Sequence, residues 1–506
     1  MSIGARERVE RDEGRAQTAA RPGRIWIPTP TAALLLLVAV VLRVVALERQ
    51  SLWLDEFLAF SIGQHDVPTV LEHASVVPGQ LPLYYLLVHV WSLAFGEGSA
   101  AVVRSLSVVL GSLSLLQLYA FARRFTDETR ARVALGILAF SPLHVYFSQE
   151  ARMYPLFIVL VLAIVHLSLS AVRDASARGP ARWTAIALLT AGSVYTHYYA
   201  FLFLGALDLF LVLTWRRSRP VIFPIAIAQV IGFLSYVPWL SSFLHAAESG
   251  GNAFIRFVGL KGFYTAFTFA LGYSAVILDA DNKNALVQAF VDRIPLLVTA
   301  AAAFGFIALR GARSLWRADR ELLLLIGLLL LFPVGVSTLV SYRFPIISER
   351  YFTPALPFFA LLLACGIVSA RGLARWLPAG VAASLVALSL GHYYFDPRFG
   401  NHDWRAAAGY VEARARGDEE MLFHPGFVEG CYRFYAHETP VGRGLDTVEA
   451  AEALPADRGY WLVISHPRPA MEGIVAALDA RFERRDDLWL PRGEGIRVLR
   501  YAPRAR

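Results

Sequence analysis

Asp55 and Glu56 stand side by side in Ser51-Leu-Trp-Leu-Asp-Glu-Phe57, just after the first long apolar run. Ionisable groups at a hydrocarbon boundary are costly and tend to be functional, and an acidic pair placed there can act as general base toward a hydroxyl. Three further short segments carry reactive side chains. Ser148-Gln-Glu-Ala-Arg-Met-Tyr154 holds Glu150, Arg152 and Tyr154; Thr196-His-Tyr-Tyr199 holds His197 and Tyr198; and Tyr342, Arg343, Glu349, Arg350 and Tyr351 share one turn. Arg beside Tyr suits an anionic phosphate, because a guanidinium offers paired donors that an ammonium does not. A carboxylate for an acceptor hydroxyl and an Arg/Tyr seat for a leaving phosphate are the parts that glycosyl transfer from a lipid-linked sugar requires. Plainer roles exist for each group. Asp55 and Glu56 can cap an interfacial helix, Glu150 and Arg152 can pair across a tight turn, His197 and Tyr198 can anchor at an interface, and Arg350 can neutralise Glu349.

The elements that must position these residues are apolar. Of the 506 residues, 56% are hydrophobic and 17% charged, and the mean hydropathy is +0.48; a soluble domain carries about 25% charge. Apolar runs recur at lengths near the ~20 residues of a spanning helix. The first, Ile27 to Leu47, lacks a small-residue cleavage site and reads as a retained helix. Leu81–Phe95 is apolar but reads as an interfacial segment, because letting it cross would put Arg123, Arg124, Arg130 and Arg132 outside. Spans near 104–121, 133–147, 154–172, 183–197, 199–214, 221–241, 294–309, 322–341, 353–369 and 377–394 then leave every Arg-rich loop on one side. The expectation is an all-α polytopic membrane domain of about eleven spans. The N-terminus is cytoplasmic, the C-terminus extracytoplasmic, and the acids and Arg/Tyr turns lie outside with the C-terminus.

Three segments follow: a disordered cytoplasmic tail at 1–26, a membrane domain at 27–394 with a first external loop at 48–103, and a C-terminal domain at 395–506. In the last, charge rises and apolar runs shorten to strand length at Glu420–Phe423, Trp461–Ile464 and Ile496–Tyr501, with a helical pattern at Trp404–Arg414, so a small α/β domain is expected. The formal charge of +8 rests on Arg, with Lys261 and Lys283 the two lysines. No basic stripe interleaves with aromatics, which speaks against nucleic acid as a partner. Cys365 and Cys431 are too few for a disulfide framework or a metal cluster. Asp279-Ala-Asp281 has the form of a metal-binding DxD motif but reads as a solvated loop.

An ordered set of motifs resembles the GT-C glycosyltransferases of the family 39-like group, relatives of the protein O-mannosyltransferases and of the lipid A aminoarabinose transferase. The set comprises Ser-Leu-Trp-Leu-Asp-Glu (51–56), Gly-Gln-Leu-Pro-Leu-Tyr-Tyr-Leu-Leu (79–87), Val-Arg-Ser-Leu-Ser (103–107), Tyr-Phe-Ser-Gln-Glu-Ala-Arg-Met-Tyr (146–154), Thr-His-Tyr-Tyr (196–199), Glu-Arg-Tyr-Phe-Thr-Pro-Ala-Leu-Pro (349–357) and Asp-Trp-Arg-Ala-Ala-Ala (403–408). The resemblance implies a polyprenyl-phosphate-linked sugar as donor, an acceptor that is a glycan, lipid or protein, and an inverting displacement with Asp55 as base in the inner membrane of a cell envelope. It also implies that Glu150 is a second acidic position and that Arg350 and Tyr351 contact phosphate. Where many relatives carry His-Pro-Pro, this chain has Gly79-Gln80-Leu81-Pro82. Members of the superfamily divide over a divalent metal such as Mg or Mn, and the resemblance leaves that cofactor open. A lipid-linked-sugar transporter or flippase is the alternative, but it calls for charged residues within spans and for repeated halves. Asp208 is the clearest intraspan charge, and no repeat is visible.

Overall fold

The structure, a computed structural model, describes residues 28–76, 80–96, 98–242, 244, 293–397, 400–416, 419–437, 442–466, 470–493 and 495–504. The expected tail at 1–26, Gly79, the section 262–278 and the Asp279/Asp281 motif lie outside them.

Proline and capping residues set the helix starts. Helix α1 (Pro30–Val44) begins on Thr29, whose hydroxyl accepts from Ala32 N, and its proline stands where the missing N–H costs nothing. Short helices α2 (Leu54–Gly63), α3 (Val67–Val76) and α4 (Pro82–Phe95) occupy the loop after it. Helix α5 (Ala100–Phe125) is followed by α6 (Glu128–Ala139) and α7 (Pro142–Ser148). Then come α8 (Tyr154–Arg173), α9 (Pro180–Val194), α10 (Ala200–Leu213), α11 (Ile222–Leu234), α12 (Ile294–Ala318), α13 (Arg320–Ser341), α14 (Leu356–Ser369) and α15 (Leu373–Phe395). Helix α8 is the hub, buried along most of its length. Helices α12 and α14 cross backbone to backbone: a Cβ on Gly311 would stand 2.1 Å from Leu362 O, and one on Gly366 2.0 Å from Ile307 O. Small residues permit that approach where lipid provides no hydrophobic drive.

A helix overlaps each expected span, and the helices differ in length. Among the described residues six helices are long and apolar enough to cross a membrane, or seven if α6 and α7, bent by 63°, form one span. Helices α1, α10 and α11 are apolar but shorter; 15 residues reach about 22 Å against a hydrocarbon core of ~30 Å. Large apolar side chains such as Leu37, Leu331 and Leu339 face outward, as lipid contact requires. The chain is a multi-pass membrane protein.

Ion pairs tie the Arg-rich ends to each other. Arg124 meets Asp174 at 3.2 Å, Arg173 meets Asp319 at 2.8 Å, and Arg217 meets Glu321 at 2.9 Å. These loops therefore share one face of the bundle, and the turns at 48–56, 149–153, 195–199 and 342–350 lie at the opposite helix ends.

The C-terminal residues form a five-stranded sheet of order β2-β1-β3-β5-β4, with β1 (Glu420–His424), β2 (Gly442–Gly444), β3 (Tyr460–Ser465), β4 (Phe482–Leu490) and β5 (Ile496–Pro503). Strand β1 runs parallel to β2 and β3, while β5 is antiparallel to β3 and β4. The largely buried runs at β1, β3 and β5 are the strands legible in sequence. Edge strand β4 alternates exposed and half-buried positions after a buried Phe482 over Phe-Glu-Arg-Arg-Asp-Asp-Leu-Trp-Leu, and its charges hide the strand pattern. Helix α16 (Trp404–Glu412) covers one face of the sheet, and Leu54 and Phe57 from α2 join that core. The sheet domain is also tied to the loop before α2: Tyr435 Oη accepts from Leu52 N at 2.8 Å, and Arg405 reaches Glu48 at 2.9 Å.

Candidate active site

Helix α2 begins at Leu54, so Asp55 and Glu56 occupy its first turn, where carboxylates favour the helix dipole. Adjacent helical residues point about 100° apart, and the two acids have different surroundings. Glu56 is fully buried. Its Oε1 accepts from Arg104 Nε at 2.7 Å and Ala151 N at 2.9 Å; its Oε2 accepts from Arg104 Nη2 at 2.6 Å and, as a capping box, Trp53 N at 3.3 Å. Arg104, from the first turns of α5, also donates to the carbonyls of Leu47, Gln50 and Ser51. Both partners are saturated, so the pair reads as a fixed joint between the 47–51 loop, α2 and the 149–152 turn.

Asp55 is partly exposed and loosely paired. Its Oδ2 lies 3.4 Å from Arg152 Nη2 and 3.7 Å from Arg350 Nη1. Three turns distant in sequence thus converge at one end of the bundle. The 63° break between α6 and α7 aims the middle turn. Pro142 and Ser141 end the α6 ladder and start a new helix. Buried Arg43 of α1 donates to the carbonyls of Ala139 and Leu138 and to His144 Nδ1, and Gln149 Nε2 donates to the carbonyls of Leu42, Arg43 and Val45. Arg350 and Tyr351 sit in a 3₁₀ segment, Glu349–Ala355, leading into α14.

Several buried polar atoms around Asp55 have no hydrogen-bond partner among the described residues: Nε of Arg152, Nε of Arg350, the hydroxyl of Tyr154 and Oε2 of Glu150. Each such group costs roughly 1–3 kcal/mol, and a group of them in one place is a feature that a bound polar ligand explains. Glu150 is buried and accepts from Tyr146 Oη at 2.6 Å. Burial, reinforced by the Glu56 carboxylate, pushes its carboxyl up to about 8. His197 is buried, stacked on Phe157 at 4.9 Å and tilted against Tyr351 at 4.8 Å. Its burial, with the Arg152 and Arg350 charges close by, takes the imidazole down to about 3, so it is neutral at ordinary pH. Its Nδ1 accepts from Tyr199 N at 3.1 Å.

Of the residues expected from sequence, the structure brings together Asp55, Arg152, Arg350, Tyr351, Tyr154 and His197, with Glu150 alongside. It does not bring Tyr342 and Arg343 to this cluster: Tyr342 is 75% exposed, and the Arg343 guanidinium lies over Phe344 at 4.8 Å. Tyr198 packs partly buried against the membrane core.

Residues 77–241 match the family of dolichyl-phosphate-mannose-protein mannosyltransferases. Over 92% of its length the chain aligns with ArnT from Cupriavidus metallidurans in the apo state, covering 97% of that chain with a TM-score of 0.58 and 12% identity. The fold is that of the GT-C glycosyltransferases. The same ArnT bound to undecaprenyl phosphate gives 0.55 and 13% over the same shares. The Archaeoglobus fulgidus oligosaccharyltransferase AglB, in complex with an inhibitory peptide and a dolichol-phosphate, gives 0.51 and 13% over 94% of this chain and 74% of that one. No curated protein sequence matches the chain.

Within this GT-C fold, a divalent metal would need carboxylate oxygens clear of cations. Glu56 has both of its oxygens on Arg104, Asp55 faces two guanidiniums, and among the described residues no group of three His, Cys, Asp or Glu is arranged to hold a metal ion. The described residues do not fit one. Sequence reasoning missed Arg104 as the partner of Glu56, although it stands in the quoted Val-Arg-Ser-Leu-Ser segment. An Arg just inside an apolar run, following a lone pair of acids, was the available signal. Gln149 and Tyr393, joined by Tyr393 Oη to Gln149 Oε1 at 2.6 Å, had no such signal.

Proposed function

We propose that the protein is an inverting glycosyltransferase that moves a sugar from a polyprenyl-phosphate donor to an acceptor on the extracytoplasmic face of the membrane. The observation that carries this reading is the convergence of Asp55 with Arg152 and Arg350 at the bundle end opposite the Arg-rich loops. Those loops take the cytoplasmic side by the positive-inside rule, and the site then faces outward. ArnT and AglB, which share the fold, have been seen with undecaprenyl phosphate and dolichol-phosphate, and a carrier of that class supplies the anion that the two guanidiniums suit.

In the reaction, the acceptor hydroxyl oxygen attacks the anomeric carbon and forms the new glycosidic bond. The anomeric carbon–phosphate oxygen bond breaks on the opposite side, inverting the configuration, and the polyprenyl phosphate leaves with the electron pair. Asp55 takes the hydroxyl proton. The charge gained by the leaving phosphate is stabilised by Arg152 and Arg350, whose unpartnered Nε atoms, with the Tyr154 hydroxyl, are donors already in place. Tyr351, under the Arg350 guanidinium at 5.7 Å, and neutral His197 hold that arginine's surroundings rigid. Glu56 acts as a positioning residue through Arg104. Glu150, protonated at neutral pH, adds no negative charge where an anion must leave.

The test is transfer of sugar from a panel of polyprenyl-phosphate sugars by the purified protein in lipid. Wild type should form a glycosylated product, and Asp55→Asn should form it at least about a hundredfold more slowly while still binding undecaprenyl phosphate. Transfer by Asp55→Asn near the normal rate would remove Asp55 from the role of base.

A further inference from the structure

Helix α2 is held from two sides, and one of them is the sheet domain. From the bundle side Arg104 grips Glu56 and the carbonyls of Leu47, Gln50 and Ser51. From the other side comes a short helix, α17 (Glu429–Arg433). Gly430 marks the closest approach: a Cβ there would stand 2.2 Å from Phe57 Cε1 and 2.4 Å from Phe57 Cζ, so the absence of a side chain lets α17 lie on the ring. Phe57 packs with Leu54 into the sheet-domain core beside Trp404, Cys431 and Tyr432, and displacing the ring disturbs that close packing.

The grip continues past the end of α17. Phe434 meets Phe60 edge to face at 5.2 Å, a favoured arrangement of two aromatic rings. Both pack on a cluster of Leu52, Ala100, Val103 and Ala151, so one sheet-domain ring closes a cluster drawn from the segment before α2, the start of α5 and the 149–152 turn. Ala151 N donates to Glu56, and the next residue, Arg152, faces Asp55 at 3.4 Å. Tyr435 Oη accepts from Leu52 N at 2.8 Å, and the Arg405 guanidinium lies over the Tyr435 ring at 5.2 Å. Cys431, on α17 itself, is fully buried. Burial, with the Asp55 charge adding to it, pushes its thiol up to about 12, which puts α17 within electrostatic reach of Asp55. The Asp55 contacts of 3.4 and 3.7 Å are too long to fix the carboxylate, and a helix of 10 residues does not hold its own place. What fixes Asp55 is therefore the packing of α2. The Arg104 joint anchors one point of it, and the Phe57 and Phe60 contacts oppose rotation about that point.

We propose that Gly430 and Phe434 of the sheet domain are positioning residues for the transfer reaction, setting through Phe57 and Phe60 where α2 presents Asp55 to Arg152 and Arg350. The proposal rests on the glycosyltransferase reading and makes the sheet domain part of the reaction centre, beyond any role in selecting acceptors. Neither residue is catalytic, since each acts through α2.

The experiment uses full-length protein in membrane vesicles from the cells that naturally make it, with the native copy replaced by each variant so that acceptors are present. It reads undecaprenyl phosphate released from undecaprenyl-phosphate mannose, glucose, galactose and arabinose. Rates are counted per undecaprenyl-phosphate binding site, so misfolded protein does not register as lost turnover. Phe434→Ala should lower kcat by about 10- to 100-fold, the effect of a displacement on the order of 1 Å at a reacting group. The donor KM should stay within about twofold of wild type, because the phosphate seat is untouched. Phe434→Leu, which keeps most of the apolar bulk, should recover most of the lost turnover. Gly430→Val adds volume at the same contact and should lower kcat likewise. Alkylation of Cys431 by N-ethylmaleimide, read by mass spectrometry, reports the contact without any reaction: slow in wild type and faster in Phe434→Ala and Gly430→Val. Normal kcat in both variants overturns the proposal, whether Cys431 is freed or still protected, and so does a raised donor KM with kcat unchanged. If wild type releases undecaprenyl phosphate from none of the donors, the glycosyltransferase reading itself falls and the positioning role with it, whatever Cys431 shows.

Discussion

Two acid–arginine groupings stand one residue apart in the chain and behave oppositely. Glu56 and Arg104 meet at 2.6 Å with no exposure of the carboxylate, and every oxygen and most N–H groups of the pair have partners. Asp55 lies 3.4 and 3.7 Å from Arg152 and Arg350, is 26% exposed, and leaves donors on both arginines unpartnered. The sealed pair has geometry suited to holding three segments together, since a buried ion pair is tolerated only when fully bonded. The open triad has geometry suited to exchanging partners during a reaction. Exposure and unmet hydrogen bonds, rather than residue type, separate the joint from the candidate reactive site.

Substitutions at the two groupings should have opposite consequences, for turnover at Asp55 and for stability at Glu56 and Arg104. Asp55→Asn should lower the transfer rate by about 10²–10⁴-fold, the range for a lost general base, with unchanged thermal stability in a melting assay. Glu56→Gln or Arg104→Met should destabilise the fold by about 3–5 kcal/mol, because each leaves a buried charge without its partner; loss of expression or a large drop in melting temperature checks it. If Glu56→Gln instead lowers turnover with stability unchanged, the division between joint and reactive site fails. Arg350→Ala should raise KM for the lipid-linked sugar by about 10- to 100-fold, as loss of a charge-assisted hydrogen bond does, while Arg343→Ala and Tyr342→Ala should change it less than about twofold, as exposed positions do.

Glu150 tests the region between the two groupings. Its folded-state value of about 8 exceeds that of an unfolded carboxyl. The folded state therefore holds a proton that the unfolded state has released, and stability falls as pH rises between about 4.5 and 8. Glu150→Gln should flatten that decline in melting temperature. An unchanged slope would show that Glu150 does not carry it.

Much of this architecture was legible along the chain because it depends on local composition. The apolar runs, the Arg-rich ends, the buried strands β1 and β3 and the acids after α1 are patterns within some twenty residues. Other features were not legible. Leu81–Phe95 could be assigned to an interface only by charge balance, and α1 and α11 end at Val44 and Leu234, short of the expected ends near 47 and 241. Arg343 and Arg350 are equivalent guanidiniums seven residues apart, and only the 3₁₀ segment turning inward at Glu349 separates the one at the cluster from the one stacked outside on Phe344.

By itself the sequence determined that the chain must live in a membrane, which helix ends carry the positive charge, and which few polar segments are costly enough to need a purpose. Tertiary structure alone decided which of two neighbouring acids is sealed, which arginines reach the other, and that a helix break stabilised by Arg43 presents Glu150 and Arg152 to both. The reason is physical. Burial and hydrogen-bond saturation are supplied by partners roughly 50 to 350 residues away, as Arg104 is to Glu56 and Asn401 to Gln50, and no local pattern encodes a partner at that distance.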